Sequence, residues 1–374
     1  MNRKTFLALL VALIVLGGAG FALFWQDLGA WRNANARLGS KPFEKLPVGT
    51  IARIHLKDGG SETTLSLKGE HWVVGERGDY GANARDIGDL LVKLPDVKVV
   101  QTESVGASLL PRLNLVEPGK AAKGEEAGTL LELSDKSGKV VASVLLGKKV
   151  IKTEDSPLPI KPQTPVGRYV LSPGAKSVLV LSDALVSAEA NPARWLAKDF
   201  FKVDRAKSLA YSGSGAPWKI ARSEEYGQWK FAAGSGMLDP SAAVSAVNAL
   251  SSLAFTDVAP EIKPESLENP RTLVADTFEN LTYTIKAAKK PGTDEYYLAF
   301  TVAGEPPRER KPEKDEKSED KARRDKQFSE DLQKLEARLK LEKELANWTY
   351  VVAGKTLEPL LKDRPQFVIA PRKK

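Results

Sequence analysis

The sequence runs through one pattern twice, about 155 residues apart, and no other feature limits the fold as strongly. The first copy starts near Val48 with the strand pattern IARIHL. TTLSLKGEHWVV follows, two short strands around a Lys68-Gly69 turn with Trp72 on the second. Asn83 is placed to cap a helix whose apolar face is Ile87, Leu90, Leu91 and Leu94, closed by Pro95. VKVVQTE then returns as a strand. The second copy starts near Val203 with AKSLAYSG and WKIARSEEYGQWKF, which puts Trp229 157 positions after Trp72. Asp239-Pro240 is a cap and first helical residue, with Val244, Val247 and Leu250 as the expected inner face. The hairpin GTLLELSDKSGKVVASVLLG (128–147) has its counterpart in RTLVADTFENLTYTIKAA (271–288). RYVLSPGAKSVLVLSDAL (168–185) matches TYVVAGKTLEPLL (349–361). A unit this long is a domain rather than a solenoid repeat. The expected fold is α+β: two homologous modules of mostly antiparallel sheet with packed helices, over 48–190 and 191–374. Trp195 falls at the join.

On this alignment the copies differ most between the hairpin and the final strand. The first holds KTEDSPLPIKPQTPV (152–166), whose four prolines favour an extended loop. The second holds a charged insert, 305–347, in which 26 of 43 residues are charged. The first half of the insert lacks the apolar residues for a core and should be solvated. Its second half carries Phe328, Leu332, Leu335 and Leu339 on one stripe of a charged helix, with Glu330–Lys334 and Glu336–Lys340 as supporting pairs. The stripe can pack on its own module or dock a partner chain. Two elaborations in one slot favour a shared binding face.

Ahead of the repeat, Thr5 to Trp25 is a 21-residue run without a charge. As a helix it spans roughly 31 Å, close to a bilayer's hydrocarbon thickness. A cleavable signal would have a shorter apolar region and a small-x-small site, whereas this run ends Phe-Trp-Gln-Asp. A single uncleaved transmembrane helix is therefore expected within 1–26, with Phe6, Leu10, Leu13, Leu16, Phe24 and Trp25 as anchoring residues and 27–47 as a polar linker. Arg3 and Lys4 leave a short cytoplasmic N-terminus. In a bacterium this is a single-pass inner-membrane protein with its bulk in the periplasm.

The net charge of +8 is concentrated at the ends: Arg3 and Lys4 give +2, and residues 362–374 give +4. No basic stripe interleaved with aromatics exists, so nucleic acid is not an expected partner. With no cysteine there is no thiolate nucleophile, disulfide framework or cysteine-ligated metal. The two histidines, His55 and His71, have no carboxylate or nucleophile spaced to join them. Gly354-Lys355-Thr356 resembles the end of a phosphate loop, but Thr349 stands where the first glycine belongs. The carboxylates are scattered without a paired spacing. No catalytic, cofactor or metal residues are assigned, and no cofactor is expected.

The anchor followed by VGTIARIHLKDG, GEHWVV, LLVKLPDVKVV, GTLLEL, VVASVLLG and GRYVLSPGAKSVLVLSDAL resembles a bacterial envelope family, domain of unknown function 4340. The resemblance covers about 48–260, and the charged insert departs from the family's usual pattern. Genes of that family tend to sit beside those of gliding-motility-type ABC transporters. The resemblance therefore implies a non-catalytic accessory or scaffold subunit, held in the membrane by its N-terminal helix, with permease and ATPase on other chains. The alternative is a stand-alone envelope binding protein for a cell-wall or polysaccharide ligand.

Overall fold

The computed structural model describes residues 37–121, 126–153, 162–175, 177–213, 215–310 and 316–369. The expected membrane helix, with Phe6, Leu10, Leu13, Leu16, Phe24 and Trp25, lies outside them, as does most of the proline-rich segment. Among the described residues no helix is long and apolar enough to cross a membrane.

The chain divides into two units, the first ending at Ala197 and the second starting at Lys198. In the first, the strands are β1 (Ile51–Lys57), β2 (Glu62–Lys68), β3 (His71–Val74), β4 (Tyr80–Gly81), β5 (Val99–Glu103), β6 (Thr129–Asp135), β7 (Val140–Thr153), β8 (Gln163–Leu171) and β9 (Val178–Leu181). They form one antiparallel sheet in the order β4-β3-β2-β1-β6-β7-β8-β9-β5. Helix α1 (Ala84–Lys93) connects β4 to β5. The second unit has β10 (Ala206–Ser212), β11 (Trp218–Ala221), β12 (Lys230–Phe231), β13 (Asp257–Val258), β14 (Arg271–Thr277), β15 (Leu281–Lys289), β16 (Glu295–Gly304) and β17 (Tyr350–Ala353). Its order is β12-β11-β10-β14-β15-β16-β17-β13. Helix α2 (Pro240–Ser251) precedes β13, α3 (Ser318–Leu345) lies between β16 and β17, and α4 (Gly354–Leu357) follows β17.

Without β4, the two orders are the same sheet. Even its irregularity repeats, since β1 slips against β6 between Ile51 and Arg53, and β10 slips against β14 between Ala206 and Ser208. One extra residue in the same strand of each copy bends both sheets at the same place.

The helix caps form as their side chains dictate. The Asn83 side chain accepts from the amides of Arg85 and Asp86, and that of Asp239 from Ser241 and Ala242. Helix α1 buries Ile87, Leu90 and Leu91. Helix α2 buries Leu250 as expected and leaves Val247 half-buried, with alanines forming the rest of its inner face. Ala242, Ala243, Ala246 and Leu250 are buried, and Val244 is 46% exposed.

Three expectations change. The repeat's final strands pair VLVL of β9, not RYVL of β8, with YVVA of β17, because β9 joins β5 as β17 joins β13. The two elaborations therefore occupy different slots. The proline-rich segment links β7 to β8, whereas the charged insert links β16 to β17, the counterpart of the β8–β9 turn. Successive connections of an antiparallel meander lie at opposite ends of a sheet, so the argument for one shared binding face is lost. Finally, the modules divide after Ala197 rather than after residue 190. Trp195 is fully buried and donates its Nε1–H to the Glu189 carbonyl (2.8 Å), Leu196 bridges to Ala82, and Arg194 pairs with Asp86. Residues 191–196 thus complete the first module. The second begins with Phe200, which packs on Phe300 and Tyr350, and Phe201, which packs on Phe300, at ring separations of 4.1–5.9 Å.

Candidate interaction surface

Helix α3 carries the stripe that can pack on its own module or dock a partner, and the structure divides that stripe in two. Leu339 is 7% exposed and Leu345 9%, both packed into the second module. Phe328, Leu332 and Leu335 are half-buried and line a groove of about 500 Å³ with Phe278, Pro306 and Pro307. Leu339 is thus committed to its own module, and the other three present a partly open apolar edge.

The helix is fixed by a group that the sequence hides among its charges. Glu342 is only 1% exposed and continues the stripe one turn beyond Leu339. Its Oε2 accepts from the hydroxyl of fully buried Tyr283 (2.8 Å), and its Oε1 from the Lys202 amide (3.2 Å). Arg338, one turn earlier, donates from Nη1 to Asp204 (2.9 Å) and from Nη2 to Glu279 (3.4 Å). Its Nε lies 3.6 Å from Glu342. Burial pushes the Glu342 carboxyl above the usual carboxylate range, against the hydrogen bonds from Tyr283 and Lys202. Burial, and then the Glu342 charge, hold the Tyr283 hydroxyl far above its ordinary value, so it stays a donor.

At the other end the helix starts earlier than expected, at Ser318 instead of after Lys326. Arg310 pairs with Glu316 (2.6 Å) and Asp325 (2.9 Å), and Arg324 with Glu316 (3.2 Å). This network ties the chain before the helix to its first turns. Within the helix, Lys334 pairs with Asp331 (3.7 Å) and Glu330 with Lys326 (4.0 Å), a choice of neighbours different from the expected ones.

The remaining candidates resolve locally. His55 does have carboxylates beside it, with Nε2 2.8 Å from Glu62 and Nδ1 3.4 Å from Glu132. They come from β2 and β6, which flank β1, so linear spacing conceals them. Lys57, and then His55, hold the Glu62 carboxyl low. His71 is exposed. Gly354 begins α4, but its amide already donates to the Asp294 carbonyl (2.8 Å), which leaves no phosphate cradle there. Arg168, in the GRYV strand, is buried and donates to the carbonyls of Gly147 (2.9 Å) and Leu185 (3.3 Å). Burial lowers it to about 10, so it remains charged at neutral pH and clamps β8 to neighbouring chain. Among the described residues no group of three His, Asp or Glu is gathered to hold a metal ion.

This arrangement offers packing faces, open grooves and ion-pair networks, which are the materials of a contact surface. A family model described as Domain of unknown function (DUF4340) matches residues 72–270. The chain belongs to the DUF4340 family. The DUF4340 match begins at Trp72 in β3 and ends at Pro270, just before β14, so it takes in both capped helices and runs across the division between the modules. Helix α3 lies beyond it. No curated protein and no solved structure matches the chain.

Proposed function

We propose that this chain is a membrane-tethered, non-catalytic accessory or scaffold subunit of an ABC-type transport complex of the gliding-motility class. In this reading segment 5–25 spans a bacterial inner membrane, the two modules work in the periplasm, and permease and ATPase are other chains. Membership of the DUF4340 family supports it, together with the uncharged 21-residue segment. The observation that carries the contact role is the divided stripe of α3. Leu339, Glu342 and Leu345 anchor the helix, while Phe328, Leu332 and Leu335 remain at an open groove. A tether confines the chain to two dimensions and raises the effective concentration of these faces near membrane partners.

The test is a pull-down of the full chain in mild detergent, read by mass spectrometry, beside a version lacking 1–26. An ABC permease and ATPase recovered with the full chain support the reading. Recovery with both versions places the contact on the modules. If neither version recovers a membrane partner, the accessory-subunit reading fails and glycan binding is measured next.

A further inference from the structure

The repeat supplies an internal control for one edge of each sheet. In the first module β3 is followed by β4, which folds back on it in the register Val73↔Gly81 and Val74↔Tyr80. The Val74 carbonyl accepts from the Asp79 amide (3.1 Å), and the Trp72 carbonyl from the Ala82 amide (2.7 Å). Tyr80 is 2% exposed and closes the edge.

Both flanks of this arrangement recur in the second module. Leu238 bridges to Val368 as Ala82 bridges to Leu196. The Ile369 amide donates to the Met237 carbonyl (2.9 Å), as Ala197 does to Gly81 (2.8 Å). The Asp239 amide donates to the Phe367 carbonyl (2.8 Å), as Asn83 does to Trp195 (2.7 Å). This register places Gly236 where Tyr80 stands and Met237 where Gly81 stands. The closing pair itself is missing, and β12 is the outermost strand of its sheet. The Ala232 amide donates to the Lys219 carbonyl (2.8 Å), so by the alternation of the ladder Trp229 and Phe231 turn their peptide groups to the open side. Among the described residues no backbone group meets them there. In their place is a groove of about 610 Å³ lined by Trp229, Phe231, Met237, Leu238, Val244 and Ile369. Met237 is 72% exposed, Val244 46% and Ile369 43%, an apolar patch gathered at one open edge.

We propose that this slot takes an extended segment of another polypeptide, which adds to β12 as a strand along the edge that β4 covers in the first module. The incoming segment pairs through its backbone with Trp229 and Phe231 and lays an aromatic side chain in the groove against Met237, Val244 and Ile369. Its flanks are acidic. The Arg222 guanidinium lies 4.8 Å over the Trp229 ring and that of Arg364 4.8 Å over Phe231, with Lys230 on the edge itself. Among the described residues that line the groove none is acidic. The inference holds whichever complex the chain joins.

The probe is a synthetic peptide with the sequence of residues 74–83, VGERGDYGAN, which carries the β4 residues Tyr80 and Gly81 and brings two carboxylates. It is added to the full chain in detergent micelles, and amide hydrogen exchange is followed by mass spectrometry. The expected result is saturable slowing of exchange at 229–231, by roughly tenfold or more, with α2 unchanged as a report on folding. A peptide carrying Tyr80→Gly, and a Val244→Glu protein, each weaken binding by roughly tenfold or more. Equal protection by a scrambled peptide would reduce the effect to charge and overturn the proposal. So would an absence of protection at 229–231 with millimolar peptide, or protection there by a neutral oligosaccharide or anionic vesicles in place of the peptide.

Discussion

Replacing Glu342 by alanine tests whether a buried carboxylate, and not only the leucine stripe, holds α3 to its module. The substitution leaves the Tyr283 hydroxyl without its acceptor in a fully buried site, at a cost of about 1–3 kcal/mol. It also takes from Arg338 one of three carboxylates, a smaller loss because Arg338 keeps Asp204 and Glu279 and is partly solvated. Together these come to about 2–4 kcal/mol, or between one and three orders of magnitude in the local opening equilibrium. The measurement is amide exchange across 328–346, which should accelerate by that factor, with α1 in the first module unchanged. The double variant Glu342→Leu with Tyr283→Phe removes the buried hydroxyl together with its acceptor, leaves only the part-buried Lys202 amide to find water, and should recover most of the loss. If Glu342→Ala leaves exchange in α3 unaltered, or the double variant opens as much as the single one, the carboxylate is not what secures the helix.

The same group fixes the sign of a pH effect. Its carboxyl is raised by burial, so its stabilising contribution is complete below the ordinary value of 4.5 and is lost as pH rises through the raised one. Exchange in α3, corrected for intrinsic rate, should slow in the parent as pH falls from neutral toward 4.5, by more than in Glu342→Gln. That comparison cancels Glu225 and Glu316, whose carboxyls their arginine partners hold low and whose contributions run the other way. Asp239→Ala removes the cap of α2 and should cost about 1 kcal/mol in the urea unfolding of the second module, with Asp239→Asn close to the parent. Gly304 has φ 110° and lies against the Asn280 carbonyl, so Gly304→Ala should cost at least about 2 kcal/mol. Gly60→Ala, where a methyl group meets open space, is its control.

What could be read without the structure depended on how local each signal is. Asn83 and Asp239 announce their helices because a cap speaks only to the next two or three residues. Trp72 and Trp229 align because one lies in β3 and the other immediately before β12, each following a turn. The final strands misaligned because RYVL and TYVV share a Tyr-Val string, while the true correspondence of β9 with β17 lies in which distant strand each one joins. His55 meets its carboxylates across two ladders, from positions 7 and 77 residues away. Glu342 looked like one more charge on a charged helix, and only Tyr283, 59 residues earlier, explains its burial. The slot beside β12 is further still from the sequence, since it consists of a pairing made in one copy and missing from the other.

The closing turn of each module also orders its synthesis. Trp195 and Phe367 reach back to the amides of Asn83 and Asp239, so each sheet is sealed by the last residues of its own module. Domains fold as units while the chain is being made, N-terminal first. The first module therefore has every part it needs once Ala197 has left the ribosome, before any strand of the second has emerged. A chain cut short near residue 363 would keep the first module whole. The second would then lack both the turn that receives α2 and the ring of Phe367, which packs 4.5 Å from Trp218. Loss of a few C-terminal residues should thus act on one half of the repeat alone.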